Sequence, residues 1–430
     1  MPRRRLRVNQ DNEEYAPRQK LQGQRPVDAF TPLIRHMHTR LYHRNNPFVF
    51  HSVEPHPYFA KDLLPVHCTP HSAATALCTQ WVFSSANPDQ RGGRLRVPLH
   101  TLTWSSNGRR LLSTTSKGEF LLFNGRSFGL EIKTVAHEDG HPCRGIAWGK
   151  HHGLVLSGDD TGTIKIWLSN FIYVGDFNSS HQAVREITWA PQERKFCTAG
   201  KDGSIKIWDT DTATSRTGSA APMEEETKLE GHGGDVHTVA WHPFYALILT
   251  GSHDQTCKLW DPRAAQSGSL STLQGHTQAV SCVRWHSSGH YFLSGGRDTN
   301  VFLWDLRSAK QVASYQGHTK AVSRVVWHPT HPDVFASGGA DGTVNFWCVK
   351  DSDGSRRSDG VREILSPMAS MEKAHDAGRD QANPVEDLAW SPSGHVLATC
   401  STEVRYWHRN KPGTMDETKE QGGQDVLEGL

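Results

Sequence analysis

The spacing of tryptophan constrains this chain more than any other feature. Thirteen of its fourteen tryptophans lie on one repeating ladder. Trp104, Trp148, Trp189, Trp241, Trp285, Trp327 and Trp390 form one rail. Trp167, Trp208, Trp260, Trp304, Trp347 and Trp407 form the other, with Phe123 in the slot that lacks a tryptophan. Each member of the first rail is followed 17 to 20 residues later by its partner. Internal similarity at a period of about 44 residues signals a β-propeller, built from units that bury their apolar faces only by stacking on neighbours. Seven copies between about residues 97 and 407 predict an all-β, seven-bladed ring. Such rings mostly hold partners and do no chemistry.

The copies agree beyond the tryptophans. In the fourth, Gly231-His232 precedes the strand-like VHTVAW, which ends at Trp241; Asp254 and then Trp260-Asp261 follow. The fifth and sixth repeat this from Gly275-His276 and from Gly317-His318. The third carries His181, Asp202 and Trp208, and the second His137, Asp160 and Trp167. The seventh keeps His375 but has no Asp six residues before Trp407. The first lacks Gly-His and places Lys117 where the Asp is expected. Gly-His and Trp-Asp at this spacing resemble the WD-repeat signature. Short β-rich runs bounded by Gly, Asp, Asn and Pro read as strands and turns. Asp-Gly at 202–203 and at 341–342 suits tight hairpins.

Most repeats combine a His, a Ser or Thr, an Asp and a Trp. The sets are His181, Asp202 and Trp208; His232, Thr250, Asp254 and Trp260; His276, Ser294, Asp298 and Trp304; and His318, Ser337, Asp341 and Trp347. Taken alone, one such set looks like a nucleophile with its base and orienting acid. Repetition argues against that, because catalysis needs one site. The reading favoured is a buried polar network in which every group is satisfied, as in the structural tetrads of WD repeats. With no metal cluster, phosphate loop or singular acid–base pair, the chain is expected to be no enzyme and to need no cofactor or small-molecule substrate.

Composition and patterning divide the chain into three parts. Residues 1–60 form a basic N-terminal arm, 61–410 the propeller and 411–430 an acidic polar tail. The first fifty residues carry ten Lys and Arg against four Asp and Glu, although the whole chain is only +2. No apolar run is long enough to cross a membrane, and the start MPRRRLRVNQ has no apolar core of a secretory signal. The eight cysteines are scattered without a Cys-x-x-Cys pair, so they read as small buried residues. Polar stretches at 210–227 and 351–372 read as mobile loop insertions between blades. The seventh copy ends at its third strand, so a strand at about 75–85 (TALCTQWVFSS), containing Trp81, is expected to close the ring.

The arm places Arg3, Arg4, Arg5 and Arg7 within seven residues, a pattern suited to phosphate contact or nuclear import. Arg94 and Arg96 add cations just before the first blade. Together RRRLRVNQDNEEYAP (3–17), YFAKDLLP (58–65), GRRLLSTTSKGEFLLFNG (108–125), LEGHGGDVHTVAWHP (229–243) and FASGGADGTVNFW (335–347) resemble the WD-repeat subunit of the cleavage and polyadenylation specificity factor, the WD repeat-containing protein 33 family. The resemblance implies a nuclear protein of pre-mRNA 3′-end processing. It implies docking on a large multi-propeller scaffold subunit beside a zinc-finger subunit, and joint recognition of the polyadenylation signal in pre-mRNA. It assigns RNA contact to Arg3, Arg4, Arg5, Arg7, Arg94 and Arg96. At two family contact positions the chain departs: Leu130 stands where the family stacks a Phe, with Phe128 nearby as the expected substitute, and Gln10 stands where it has an Arg.

One rival comes from another functional class. Trp260-Asp261-Pro262-Arg263 and Trp304-Asp305-Leu306-Arg307 resemble the motif of WD-repeat substrate receptors of cullin–RING ubiquitin ligases. That reading puts the important surface at Arg263 and Arg307 rather than at the arm.

Overall fold

Each repeat folds as an antiparallel sheet whose innermost strand ends at a first-rail tryptophan. In the first blade the strands are Leu99–Trp104, Arg110–Thr115, Glu119–Asn124 and Leu130–Val135. The next five blades begin with Cys143–Trp148, Val184–Trp189, Val236–Trp241, Val280–Trp285 and Val322–Trp327. The computed structural model describes residues 77–84 and 97–409, apart from 126, 138–139, 151–152, 211–224, 350–354, 357–360, 373 and 376–382. Arg3, Arg4, Arg5, Arg7, Gln10, Arg94, Arg96 and the tail lie outside those residues.

The seventh sheet is made from both ends of the ring. Asp387–Trp390, Val396–Cys400 and Glu403–Arg409 come from its own repeat, and Leu77–Ser84 pairs antiparallel with Glu403–Arg409 as the outermost strand. Seven apolar clusters then fall one to each blade junction. Leu156 and Ile164 of the second blade meet Val184 and Phe196 of the third, and at the closing junction Leu99 and Phe123 meet Val404 and Tyr406. This is why second strands such as Ile248–Ser252 are buried along their whole length. Each is covered by a blade on either side.

The first-rail tryptophans sew the inner strands together. Trp104, Trp189, Trp285 and Trp327 each donate the indole N–H to the carbonyl just before the preceding blade's tryptophan, at Ala389, Ala147, Ala240 and Arg284, over 3.1 to 3.3 Å. Large apolar area and a satisfied N–H are thus obtained from one side chain. The hairpins behave as their turn residues require. Gly203 and Gly342 adopt φ of 76° and 78°, which glycine reaches without strain.

The two insertions differ from their expectation as mobile loops. Of 210–227, the last three residues belong to the outer strand Glu225–Leu229 of the third blade. Within 351–372, Arg362–Ile364 pairs in parallel with Lys310–Gln316, the outer strand of the fifth blade, and Ser355–Arg356 pairs with Arg362–Ile364. The chain then returns to give Ala369–Met371, the outer strand of the sixth. This insertion is therefore a strap across two blades, anchored by the buried Val361 and Ile364.

Candidate functional site

The four predicted His sets form closed hydrogen-bond networks. In the fourth blade His232 Nδ1 lies 2.7 Å from Asp254, His232 Nε2 lies 2.7 Å from Thr250 Oγ1, and Trp260 Nε1 donates to the same Oγ1 at 2.8 Å. His276 joins Asp298 and Ser294, and Trp304 donates to Ser294. His318 joins Asp341 and Ser337, and Trp347 donates to Ser337. His181 joins Asp202 and reaches Thr198, which also accepts from Trp208. One proton arrangement satisfies every member: Nδ1–H donates to the carboxylate, and the hydroxyl accepts from Trp while donating to Nε2.

The electrostatics fit a structural role. Burial by itself would raise the carboxyls of Asp202 and Asp254, but the His hydrogen bonds and those from Ser204 or Thr256 outweigh it and hold both at about 2. Each hydroxyl is buried and committed on both sides, so none is free to attack a substrate. Burial also pushes the thiols of Cys143, Cys197, Cys257, Cys282 and Cys400 up, away from the reactive thiolate. Among the described residues no group of three or more His, Cys, Asp or Glu is placed to hold a metal ion, and no helix is long and apolar enough to cross a membrane.

The second blade requires a correction. His137 bonds Asp159 at 3.1 Å and Ser157 at 2.8 Å, whereas Asp160, the expected member, faces Arg144 at 3.7 Å. The reason is visible in the other blades. A Cβ built on Gly200, Gly296 or Gly339, two residues after the tetrad hydroxyl, falls on the His ring nitrogen and the Asp carboxylate. The second blade has Asp159 at that position, so its side chain meets His137 directly and Asp160 is left over.

The first and seventh blades show what an incomplete network leaves behind. With Phe123 in place of Trp and no His, Ser113 Oγ is buried without a hydrogen-bond partner among the described residues. In the seventh, His375 and Trp407 share Thr399, and among the described residues no Asp meets His375 Nδ1. Burial, with the nearby Arg405, lowers His375 to about 3, so this ring stays neutral.

Phe128 is the second correction. It was expected to stack on a base, but it is 5% exposed and stacks on Tyr406 inside the closing junction. Leu130, by contrast, is 39% exposed on the outer strand of the first blade. Arg263 and Arg307 are both exposed at turns capped by their own motif's acid: Arg263 N–H donates to Asp261 and Arg307 N–H to Asp305.

Sequence reasoning missed a charged clasp inside the central channel. Glu186 of the third blade accepts from Arg284 of the fifth at 2.7 Å and from Arg324 of the sixth at 3.0 Å. Arg324 also reaches Asp387 of the seventh at 3.1 Å. Asp387 and Glu186 each accept a further backbone N–H from the next blade, at Leu102 and Val239. The available signal was charge at an inner-strand position otherwise held by Gly145, Thr238 or Cys282. Near one end of this channel, Trp148, Trp189, Trp241 and Trp285 rim a cleft of about 430 Å³.

Comparison with known proteins gives the family context. The family described as WD domain, G-beta repeat matches six segments: 130–167, 173–209, 223–261, 267–305, 309–348 and 373–407. Several relatives carry the name polyadenylation factor subunit 2. That of Gibberella zeae is 30% identical over 57% of this chain and 38% of its own length. That of Cryptococcus neoformans is 31% identical over 43% of this chain and 24% of its own. That of Candida albicans is 36% identical over 32% of this chain and 24% of its own. The chain thus spans well under half the length of the relatives it matches.

Proposed function

The chain belongs to the WD-repeat family, and on that footing we propose that it is a non-catalytic scaffold subunit of the nuclear machinery for pre-mRNA 3′-end cleavage and polyadenylation. The observation that carries this reading is the recurrence, at about 30% identity, of relatives named polyadenylation factor subunit 2. In this reading the propeller docks on a large multi-propeller scaffold subunit and sits beside a zinc-finger subunit. Arg3, Arg4, Arg5 and Arg7 then contact the pre-mRNA backbone, with Arg94 and Arg96 extending the patch. With Phe128 in the core, the chain's share of signal recognition is electrostatic, which contributes affinity and position more than sequence readout.

The substrate-receptor reading is less favoured. Asp261 and Asp305 cap the turns that carry Arg263 and Arg307, which accounts for the motif without a ligase adaptor.

Depletion and reconstitution test the proposal. Removing the protein from nuclear extract should abolish cleavage and polyadenylation of a pre-mRNA substrate, and adding it back should restore both. An undiminished reaction after depletion refutes it. The RNA contact is tested by replacing Arg3, Arg4, Arg5 and Arg7 with Ala in the complex with the zinc-finger subunit. The slope of log affinity against log salt should fall by up to about 3 units, at about 0.7 per lost phosphate contact. An unchanged slope removes the arm from the RNA interface.

A further inference from the structure

Six of the seven inner strands slip register at the same place. One residue is bulged between Leu99 and Thr101, Cys143 and Gly145, Val184 and Glu186, Val236 and Thr238, Val280 and Cys282, and Val322 and Arg324. The bulged residues are His100, Arg144, Arg185, His237, Ser281 and Ser323. A bulge re-aims a side chain away from the sheet's normal alternation. Here it repeats at the channel rim where the inner strands begin, opposite the tryptophan end. The first four blades in chain order therefore present four consecutive basic residues there.

A second arc lies beside the first. Lys201, His253 and Arg297 follow the second strands of the third, fourth and fifth blades, and each is held by its backbone N–H to the loop before the inner strand, at Ala183, Asp235 and Ala279. All three are exposed.

The two arginines, Arg144 and Arg185, and the His237 ring are incompletely satisfied. Among the described residues, Asp160 faces Arg144 and Asp235 faces Arg185, each at 3.7 Å, outside hydrogen-bond range. Arg144 Nε, Arg185 Nε and His237 Nε2 are buried atoms with no hydrogen-bond partner among the described residues. The seventh blade contributes one further carboxylate, Glu386, to the field at Arg144. Burial and Arg144 hold His100 at about 4, and burial with Arg185 and Arg297 does the same to His237, against the opposing pull of Asp235. The Arg144 and Arg185 side chains are 40% and 22% exposed, so an incoming oxyanion can reach them, and guanidinium matches carboxylate and phosphate in shape as well as charge.

We propose that this rim is an oxyanion-binding site for a protein partner, whose phosphorylated or acidic side chain seats against Arg144, Arg185 and His237. A protein segment is favoured over RNA by what surrounds the cations. Single-stranded RNA binds through aromatic platforms that stack its bases. Among the described residues, the exposed aromatics Phe244, Tyr245 and Tyr291 sit instead on the loops and strand beyond Trp241 and Trp285, at the opposite end. The inference does not depend on the polyadenylation reading, since it rests on the geometry and charge of the rim.

The test uses the full chain at about 0.15 M salt, where weak surface attraction is screened. Three labelled probes are titrated: an acidic dodecapeptide with a central phosphoserine, the same peptide with serine, and a uridine-rich RNA decamer. Binding of the phosphopeptide, weakened at least about tenfold in Arg144→Gln/Arg185→Gln with RNA affinity unchanged, supports the site. Binding of both peptides, equally sensitive to the variant, supports it with carboxylates as the ligand. On the unaltered protein, the bound peptide should slow phenylglyoxal modification of Arg144 and Arg185, read by mass spectrometry, a measurement that needs no variant to fold. The proposal is overturned if no peptide protects these arginines, or if the RNA decamer protects them and neither peptide does.

Discussion

The ring of Phe128 stacks on Tyr406, centroids 4.4 Å apart and planes 27° from parallel, and so ties the first blade to the seventh where the propeller closes. Tyr406 also meets Phe123 and Trp104 edge-on at 6.3 and 6.4 Å. In other blades its place holds Leu122, Ile166, Ile207, Leu259, Leu303 or Phe346. Phe128 and Tyr406 lie in the same apolar cluster as Phe123, which stands in the slot that lacks a tryptophan. Replacing Phe128 with Ala should cost about 3–5 kcal/mol, as for other buried aromatics. Urea denaturation measures it. A loss of RNA affinity with stability intact would show instead that the ring serves a base.

Ser113 gives the opposite sign. Its hydroxyl is buried and has no partner among the described residues, so Ser113→Ala should be neutral or stabilise by up to about 1 kcal/mol. Ser294→Ala and Ser337→Ala should cost about 1–3 kcal/mol each, because a His nitrogen and a Trp N–H lose their shared partner. Thermal melting of the three variants decides. Equal losses would mean that Ser113 has a partner.

Asp159 and Asp160 separate two readings of the second blade. Asp159→Ala should cost about 3–5 kcal/mol, since it strips a buried carboxylate from His137. Asp160→Ala should change stability by no more than about 1 kcal/mol, as for other surface ion pairs. The reverse order would restore Asp160 to the network.

How much of this was legible in the sequence depends on the range of the interaction. The tryptophan ladder announced seven blades because each tryptophan meets its environment within its own repeat or the next. Asp159 was misread because a count from Trp167 ignores which way the preceding glycine-rich position points. Phe128 was misread because its partner, Tyr406, lies at the far end of the repeats. The strap at Arg362–Ile364 pairs in parallel, and parallel pairing leaves no hairpin turn to read. The basic rim was hidden because the bulges that gather His100, Arg144, Arg185 and His237 have no residue signature of their own.

The clasp predicts a pH dependence of definite sign. Burial alone would raise Glu186, but Arg284 and Arg324 hold it at about 2, below its ordinary 4.5. Its ionised form therefore stabilises the fold above about pH 4.5, and that contribution is lost as pH falls towards 2. Asp387 pairs with Arg324, but burial outweighs that pairing and raises it, so acid relieves rather than weakens that position. Glu186→Gln should cost about 3–5 kcal/mol at pH 7, where it strips the carboxylate from Arg284 and one of two carboxylates from Arg324. The gap from the unaltered protein should close between about pH 4.5 and 2 in urea titrations. A gap independent of pH would contradict the assignment.

The central claim, membership of the polyadenylation machinery, is tested most directly by what accompanies the tagged protein out of nuclear extract. The account predicts a large multi-propeller scaffold subunit and a zinc-finger subunit, recovered in stoichiometric amounts. Recovery of a cullin–RING adaptor without either of them would contradict it.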